Sequence, residues 1–153
     1  AKGKKLKMKN SILHLLSIMG FSIVHALPTS PSLLATYANY LANASEESIS
    51  ETYWQYFSKE ALTGIEVSSP TTKEQLLFKQ LMRSTSSVYE VHFNDYGCLS
   101  VNGKNSNDEP ITFNIEYEIE NSWALISHID VQLHNSEKEF PTKATCPRDY
   151  MVF

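Results

Sequence analysis

Imidazole and carboxylate side chains recur near residue 130, where His128, Asp130 and His134 alternate along one predicted strand and Glu116 lies on the strand before it. Such side chains could hold a metal ion, but alternate strand positions are about 7 Å apart, so neighbours would have to hold a third ligand in place. A Ser-His-Asp triad is excluded, because Ser127 and His128 point to opposite faces of a strand. We therefore predict no metal site. We interpret these residues as a solvated strand face on which Glu116 pairs with His128.

The clearest periodic pattern covers residues 111–133, where apolar and polar side chains alternate in two runs. This alternation is typical of antiparallel strands with one face towards water. The apolar, inward positions are Ile111, Phe113, Ile115, Tyr117 and Ile119 in the first run, and Trp123, Leu125, Ser127, Ile129, Val131 and Leu133 in the second. Pairing apolar with apolar predicts a short loop centred on Ser122. A two-residue turn is rejected because it would pair Glu118 with Leu125.

The predicted register pairs Ile115 with Ile129 and Tyr117 with Ser127. Tyr117 and Ser127 are then the polar pair on an otherwise apolar inner wall. They could orient a ligand in a cavity lined also by Trp54, Phe57 and Phe113. The alternative is a Tyr–Ser hydrogen bond within the core.

Helical spacing and capping residues predict three helices before the strands. The predicted helices cover residues 32–42, a stretch from residue 45 or 48 through residue 57, and 70–83. A short strand is predicted at 62–67, and further strands at 88–93 and 98–101. We predict an α+β fold in which three N-terminal helices pack on a curved antiparallel sheet of about four to five strands.

The N-terminal residues have the pattern of a secretory signal peptide. Five lysines within residues 1–9 precede the 13-residue apolar run 12–24, and the small side chains of Val24 and Ala26 predict cleavage after Ala26. The run is shorter than the roughly 20 residues of a bilayer-spanning helix. A buried first helix and a retained signal anchor are the alternatives. We expect one domain over residues 27–134 and a C-terminal tail, 135–153, packed on it.

Removal of residues 1–26 would make the chain strongly acidic. All 17 acidic residues follow Ala26, whereas five of the 13 basic residues precede it, which leaves a net charge of −9 with histidine neutral. Such a surface repels phosphate backbones and anionic lipid, so we expect no nucleic-acid partner and no membrane association after cleavage. No glycine-rich phosphate loop and no Cys-His metal spacing occurs, and we predict no cofactor.

The chain has two cysteines, Cys98 and Cys146, which allow one intramolecular disulfide. Export would make the bond chemically accessible. We predict this disulfide, which would tie the tail to a strand near Cys98. The alternative is two separate thiols, because the sequence does not show how close the Cα atoms come.

Two stretches resemble the nuclear-transport-factor-2-like superfamily. Residues 34–41 through 53–58 are similar to its opening helix pair, and residues 113–131 resemble its closing hairpin. The turn Glu120-Asn121-Ser122-Trp123 is similar to the family's Glu-Asn-Gly-x-Trp turn, with Ser122 in place of the glycine. The resemblance covers about residues 32–134 and implies a curved sheet that wraps a helix to form a cone with an open mouth. The family includes isomerases, dehydratases, epoxide hydrolases and non-catalytic binding domains, among which the fold cannot choose.

The resemblance also supplies a catalytic hypothesis. Ketosteroid isomerase, a family member, uses a helix tyrosine to stabilise an oxyanion and a carboxylate base inside the pocket. Tyr37 and Tyr40 lie on the first predicted helix, and Glu66 is the one carboxylate expected to reach the cone mouth. The inward positions of the closing strands carry no Asp or Glu, which argues against this enzyme. The alternative is that both tyrosines belong to the core.

We therefore favour an exported, non-catalytic binding or interaction domain, periplasmic or extracellular, that holds a small apolar ligand in a cone-shaped cavity. Ala124 and Ile126, among the charges of the wet face, suggest a homodimer through the sheet face. The alternative function is a small lyase or isomerase that uses Tyr37 and Glu66.

Overall fold

The computed structural model of the protein describes residues 30–151. The predicted signal peptide, residues 1–26, and its cleavage point lie outside these residues. Within residues 30–151, no helix has the length and apolar character needed to cross a membrane. Helices come first and one open antiparallel sheet follows, so the predicted α+β class is confirmed.

Short helices occupy the first part of the described chain. They are α1 (Leu33–Asn43), α2 (Ile49–Thr52) and α3 (Pro70–Leu76), with 3-10 turns at Tyr53–Gln55 and Phe78–Leu81 after α2 and α3. A serine caps α1 and another caps α3: the Ser32 hydroxyl accepts from the Ala35 N–H at 3.2 Å, and the Ser69 hydroxyl accepts from the Thr72 N–H at 3.1 Å. These caps satisfy backbone donors that have no partner inside the helix.

The strand predicted at residues 62–67 is wrong. Residues 61–64 form turns, and the Ile65 N–H donates to the Leu62 carbonyl at 3.2 Å. Gly64 has a φ of 75°, a left-handed conformation that glycine adopts without the strain other residues would have. The chain therefore reverses here and continues as a loop to α3.

Four strands form the sheet in sequence order, each antiparallel to the next. They are β1 (Ser84–His92), β2 (Tyr96–Lys104), β3 (Pro110–Glu120) and β4 (Trp123–Leu133). One isolated parallel bridge joins Phe57 to Ile126: the Ile126 N–H donates to the Tyr56 carbonyl at 2.7 Å, and the Ser58 N–H donates to the Ile126 carbonyl at 2.9 Å. Residues 56–58 thus cover part of the outer edge of β4.

The turn between β3 and β4 differs from the prediction. Asn121 and Ser122 form a two-residue turn with φ values of 48° and 70°, and Glu118 pairs with Leu125. Positive φ at both central residues suits the right-handed twist of a tight hairpin, and asparagine tolerates it well. A β-bulge then shifts the register, because Glu116 pairs with His128 while Tyr117 pairs with Ile126, so Ser127 is the extra residue.

The bulge decides which side chains of β4 face the helices. On the C-terminal side of the bulge, from His128 to Leu133, the predicted register is confirmed, and Ile115 pairs with Ile129. Between the turn and the bulge, the side chains face the opposite way from the prediction. Ala124 and Ile126 are buried in the helix-facing core, whereas Trp123 is exposed. A register change of one residue moves every side chain to the opposite face.

The core lies between the helices and one face of the sheet. Its centre is aromatic: the Tyr40 ring stacks on Phe78 at 5.0 Å between centroids, and Phe78 meets Phe113 edge to face at 5.3 Å. The Tyr40 hydroxyl donates to the Leu76 carbonyl at 2.7 Å. Other buried members of this core include Leu33, Tyr37, Ile49, Phe57, Leu77, Leu99, Val101, Ile115, Tyr117 and Ile126.

The opposite face of the sheet, predicted to be wet, is largely buried, and this part of the prediction is wrong. Its polar side chains Ser100, Asn102, Thr112, Asn114 and Glu116 are all 1% exposed or less. Residues 135–151, the C-terminal strap, cover them. Alternating polarity reports which residues share a face, but it does not report what packs on that face.

A disulfide and a hydrogen-bond network hold the C-terminal strap. Cys98 and Cys146 are bonded, with their Cα atoms 5.3 Å apart, as the sequence predicts. The Thr145 N–H donates to the Ser100 hydroxyl at 2.9 Å, and the Asn102 side-chain amide donates to the Pro141 carbonyl at 2.9 Å. The strap therefore supplies partners to polar groups that would be costly to bury alone.

Candidate functional site

The six residues predicted to bind a ligand occupy three different environments. Tyr37, Phe113 and Tyr117 are buried in the core, Phe57 and Ser127 are buried next to surface clefts, and Trp54 is 62% exposed. Phe113 and Tyr117 have no exposed area, so a ligand would reach them only if the helices and the sheet separated.

Tyr117 does not pair with Ser127. The Ser127 hydroxyl donates to the Glu116 carbonyl at 3.2 Å, and the bulge gives Ile126 the position opposite Tyr117. The Tyr117 hydroxyl is buried without a hydrogen-bond partner in the described structure, and burial raises the pKa of this phenol well above its usual range. A neutral phenol is the form that an apolar environment favours.

The first of two clefts beside the Phe57 bridge lies between β4, α3 and the loop after residue 57; we call it the β4-edge cleft. Its volume is about 310 Å³. Its apolar lining residues are Phe57, Ala61, Ile65, Leu76, Ile126 and Ile129, and its polar ones are Glu60, Thr72, Gln75, Ser127 and His128. This combination of apolar walls and a few polar groups is typical of small-molecule sites, and the volume is at the lower end of their usual range.

The second cleft lies on the other side of the bridge, towards the β3–β4 turn; we call it the hairpin cleft. It has a volume of about 460 Å³ and is lined by Trp54, Phe57, Ser58, Lys59, Glu60, Leu62, Glu118, Glu120 and Leu125. A smaller hollow of about 250 Å³ adjoins it through the shared residues Glu60, Glu118 and Glu120. The indole N–H of Trp54 donates to the Glu51 carbonyl at 3.0 Å, so the polar atom of the ring has a partner inside the protein.

The two residues named for catalysis lie in contrasting environments. Tyr37 is buried on α1, and desolvation raises the pKa of its phenol. Glu66 is exposed in the loop before α3, where its carboxylate accepts a hydrogen bond from the Ser68 hydroxyl at 3.3 Å. Tyr40 donates to the Leu76 carbonyl, which gives its hydroxyl a structural partner. An active site that joins Tyr37 and Glu66 remains a sequence prediction.

The imidazole side chains near residue 130 contact other side chains of the protein. His128 Nδ1 lies 3.9 Å from Glu116 Oε1, in agreement with the predicted cross-strand pair, and His134 Nε2 lies 2.8 Å from the Thr112 hydroxyl. Across residues 30–151, no group of three or more His, Cys, Asp or Glu side chains is arranged to hold a metal ion.

Arg148 is the principal partner of Glu116, and the sequence analysis missed it. Its Nε donates to Glu116 Oε1 at 2.7 Å, its backbone N–H donates to Oε2 at 3.2 Å, and its guanidinium stacks 3.6 Å from the Tyr96 ring centroid. The hydrogen bond to Glu116 raises the pKa of the guanidinium. The disulfide indicates this contact. Because Cys98 pairs with Glu116 in the sheet, a bond from Cys98 to Cys146 brings Arg148, two residues after Cys146, close to Glu116.

No protein-family model, curated protein or solved structure matches the chain.

Proposed function

We propose that this protein is an exported, non-catalytic binding domain that takes a small apolar ligand into the β4-edge cleft. The carrying observation is the composition of that cleft, in which six apolar side chains surround about 310 Å³ and the polar groups lie among them. In a cone-shaped arrangement of helices on a curved sheet, this cleft is the open mouth between α3 and β4. Phe57 and Ser127, two residues predicted to bind a ligand, contribute to its wall.

Export is supported by two independent features of the chain. The basic and apolar runs before Ala26 have the pattern of a cleaved signal. The disulfide between Cys98 and Cys146 is of a kind that persists in oxidising compartments. We propose a periplasmic or extracellular location.

Native mass spectrometry of the protein purified from its own host tests both parts of the proposal. We expect a chain that begins at Leu27 and has lost two hydrogens to the disulfide, plus a bound small molecule that organic solvent extracts. A chain that retains residues 1–26 and has free thiols would contradict export. The same measurement gives the subunit count and so tests a homodimer through the sheet.

A second experiment locates the ligand in the protein. With isoleucine methyl groups labelled for NMR, added n-octanol is expected to shift Ile65, Ile126 and Ile129, which line the cleft, and to leave the buried Ile49 unchanged. Ala61→Trp fills the cleft and should abolish these shifts.

The matched control for the filled cleft is Ala42→Trp, which adds the same side chain at an exposed position of α1. This variant should bind n-octanol as the unmodified protein does. Equal octanol shifts in both tryptophan variants, or shifts spread over all isoleucines, would place binding outside the β4-edge cleft and overturn the assignment.

A further inference from the structure

Both tryptophans of the chain are exposed at the same end of the sheet. Trp54 is 62% exposed and Trp123 is 70% exposed, and the chain has no other tryptophan. Trp54 lines the hairpin cleft with Leu125, and Trp123 lies two residues before Leu125, on the same face of β4. Large exposed aromatic groups next to apolar neighbours are characteristic of binding surfaces, where tryptophan often contributes most of the affinity.

Carboxylates surround this apolar surface. Glu60, Glu118 and Glu120 line both the hairpin cleft and the adjoining hollow, and Asp95 lines the hollow. None of these four carboxylates forms a salt bridge within residues 30–151.

Two cations lie near these carboxylates, and they do not balance them. Arg148, which also lines the hollow, is paired with Glu116. Lys59 is the one basic residue among those that line the hairpin cleft. The surface therefore has a negative potential that favours a cationic partner and repels nucleic acid and anionic lipid.

We propose that the hairpin cleft and its adjoining hollow dock an extended segment of a partner protein in which lysine or arginine alternates with apolar residues. The cationic side chains of the segment would face Glu118 and Glu120, and its apolar side chains would cover Trp54, Trp123 and Leu125. This function goes beyond ligand binding in the β4-edge cleft, which shares only Phe57 and Glu60 with the hairpin cleft and only Glu60 and Ser127 with the hollow.

The extent of the surface favours a peptide over a small organic cation. The hairpin cleft and the adjoining hollow together extend from Tyr96 on β2, across β3 and β4, to Trp54 beyond the sheet edge. Three strand spacings of nearly 5 Å cover about 14 Å. Because an extended chain advances about 3.3 Å per residue, four to five residues fill that length, whereas a single ammonium group would occupy only part of it.

Tryptophan fluorescence of the full chain measures this binding directly, because both tryptophans lie on the proposed surface. The probe is a blocked decapeptide of alternating lysine and leucine. We expect saturable quenching or a blue shift with a dissociation constant in the micromolar range, and weaker binding at high salt. A decapeptide of alternating lysine and serine, and one of alternating glutamate and leucine, should each bind at least tenfold more weakly.

Paired charge variants separate this surface from general electrostatics. Glu118→Gln with Glu120→Gln should weaken binding at least tenfold. The control, Glu46→Gln with Glu74→Gln, changes the charge equally at exposed positions elsewhere and should bind normally. Ala61→Trp, which fills the β4-edge cleft, should also bind the peptide normally, so a failure of one proposal is visible separately from a failure of the other.

Three outcomes would overturn the proposal. Equal affinity of the two glutamine pairs would mean that Glu118 and Glu120 do not contact the segment. Equal binding of the lysine-serine peptide would leave no role for the tryptophans. Displacement of the peptide by millimolar tetramethylammonium would show that the surface selects a small cation.

Discussion

Both faces of the sheet are largely buried in its central strands, but they are built from different chemistry. The helix-facing side carries Phe113, Ile115 and Tyr117, and the strap-facing side carries Thr112, Asn114 and Glu116 from the same strand. Helices cover the first face and the C-terminal strap covers the second. A strand with alternating polarity can therefore be buried on both sides when its polar side receives enough hydrogen-bond partners.

The faces differ in what stabilises them. Removal of apolar area from water stabilises the helix-facing side roughly in proportion to that area, without directional requirements. The strap-facing side depends on particular partners: Ser100 donates to Asn114 at 2.7 Å, Asn114 donates to Tyr150 at 3.1 Å, and Tyr150 donates to Asp130 at 2.7 Å. Loss of Asn114, for example, leaves the buried Ser100 hydroxyl without the acceptor of its proton.

The largest loss of stability from a single substitution is expected on the helix-facing side. Phe113→Ala removes a fully buried ring in edge-to-face contact with Phe78 and should lower the free energy of unfolding by about 3–5 kcal/mol. Urea denaturation followed by circular dichroism measures this change. A loss below that of Asn114→Ala would contradict the view that apolar burial dominates stability.

Removal of the disulfide should loosen the strap from the sheet. The double variant Cys98→Ala, Cys146→Ala should lose about 3 kcal/mol, because the unfolded chain is no longer cross-linked. Hydrogen exchange should show that the Thr145 amide, which donates to Ser100, loses protection before the amides of β3 do. Unchanged protection at Thr145 would mean that the hydrogen bonds alone hold the strap.

A single polar truncation on the strap-facing side should have an intermediate effect. Asn114→Ala leaves the Ser100 and Tyr150 hydroxyls without their shared partner and should cost about 2 kcal/mol. Exposed Asn107→Ala is the control and should change stability by about 0.5 kcal/mol or less. If the two variants were equally stable, the network would not be required for packing of the strap.

The helix-facing side contains a polar atom, the Tyr117 hydroxyl oxygen, whose removal should stabilise the protein. Tyr117→Phe deletes a buried hydroxyl without a partner and should raise the free energy of unfolding by about 1 kcal/mol. Tyr40→Phe, the matched variant, deletes a hydroxyl that donates to Leu76 and should lower it by about 1 kcal/mol. Opposite signs in thermal denaturation would support this contrast.

The same tyrosines predict how stability depends on alkaline pH. Burial raises the pKa of Tyr37, Tyr40 and Tyr117 in the folded state, whereas in the unfolded chain they titrate near 10. Their contribution is therefore fully present below pH 10 and is lost as the pH rises above it. Tyr117→Phe should make the loss between pH 10 and 12 less steep, and parallel curves would contradict this.

Local signals predicted much of the fold. Ser32 caps the first helix, Ile115 pairs with Ile129, and Cys98 bonds to Cys146, each as the sequence indicates, whereas α3 is capped by Ser69 and not by Thr71 or Thr72 as the sequence suggested. The helix cap and the strand pairing depend on residues that are close in the sequence. The two cysteines have only two possible states, a disulfide or two separate thiols. The candidate site was harder to predict, because Phe57 and Ser127 line a cleft formed by α3, a loop and the β4 edge together.

The sequence by itself determined the class of the fold, because alternation of side chains and capping residues act over a few positions. Only the tertiary structure decided which face of each strand meets water. A bulge at Ser127 moved Trp123 to the surface, and a strap anchored 48 residues away from Cys98 buried a face that looks solvated. The physical reason is that burial depends on what packs against a side chain, and those partners lie far along the chain.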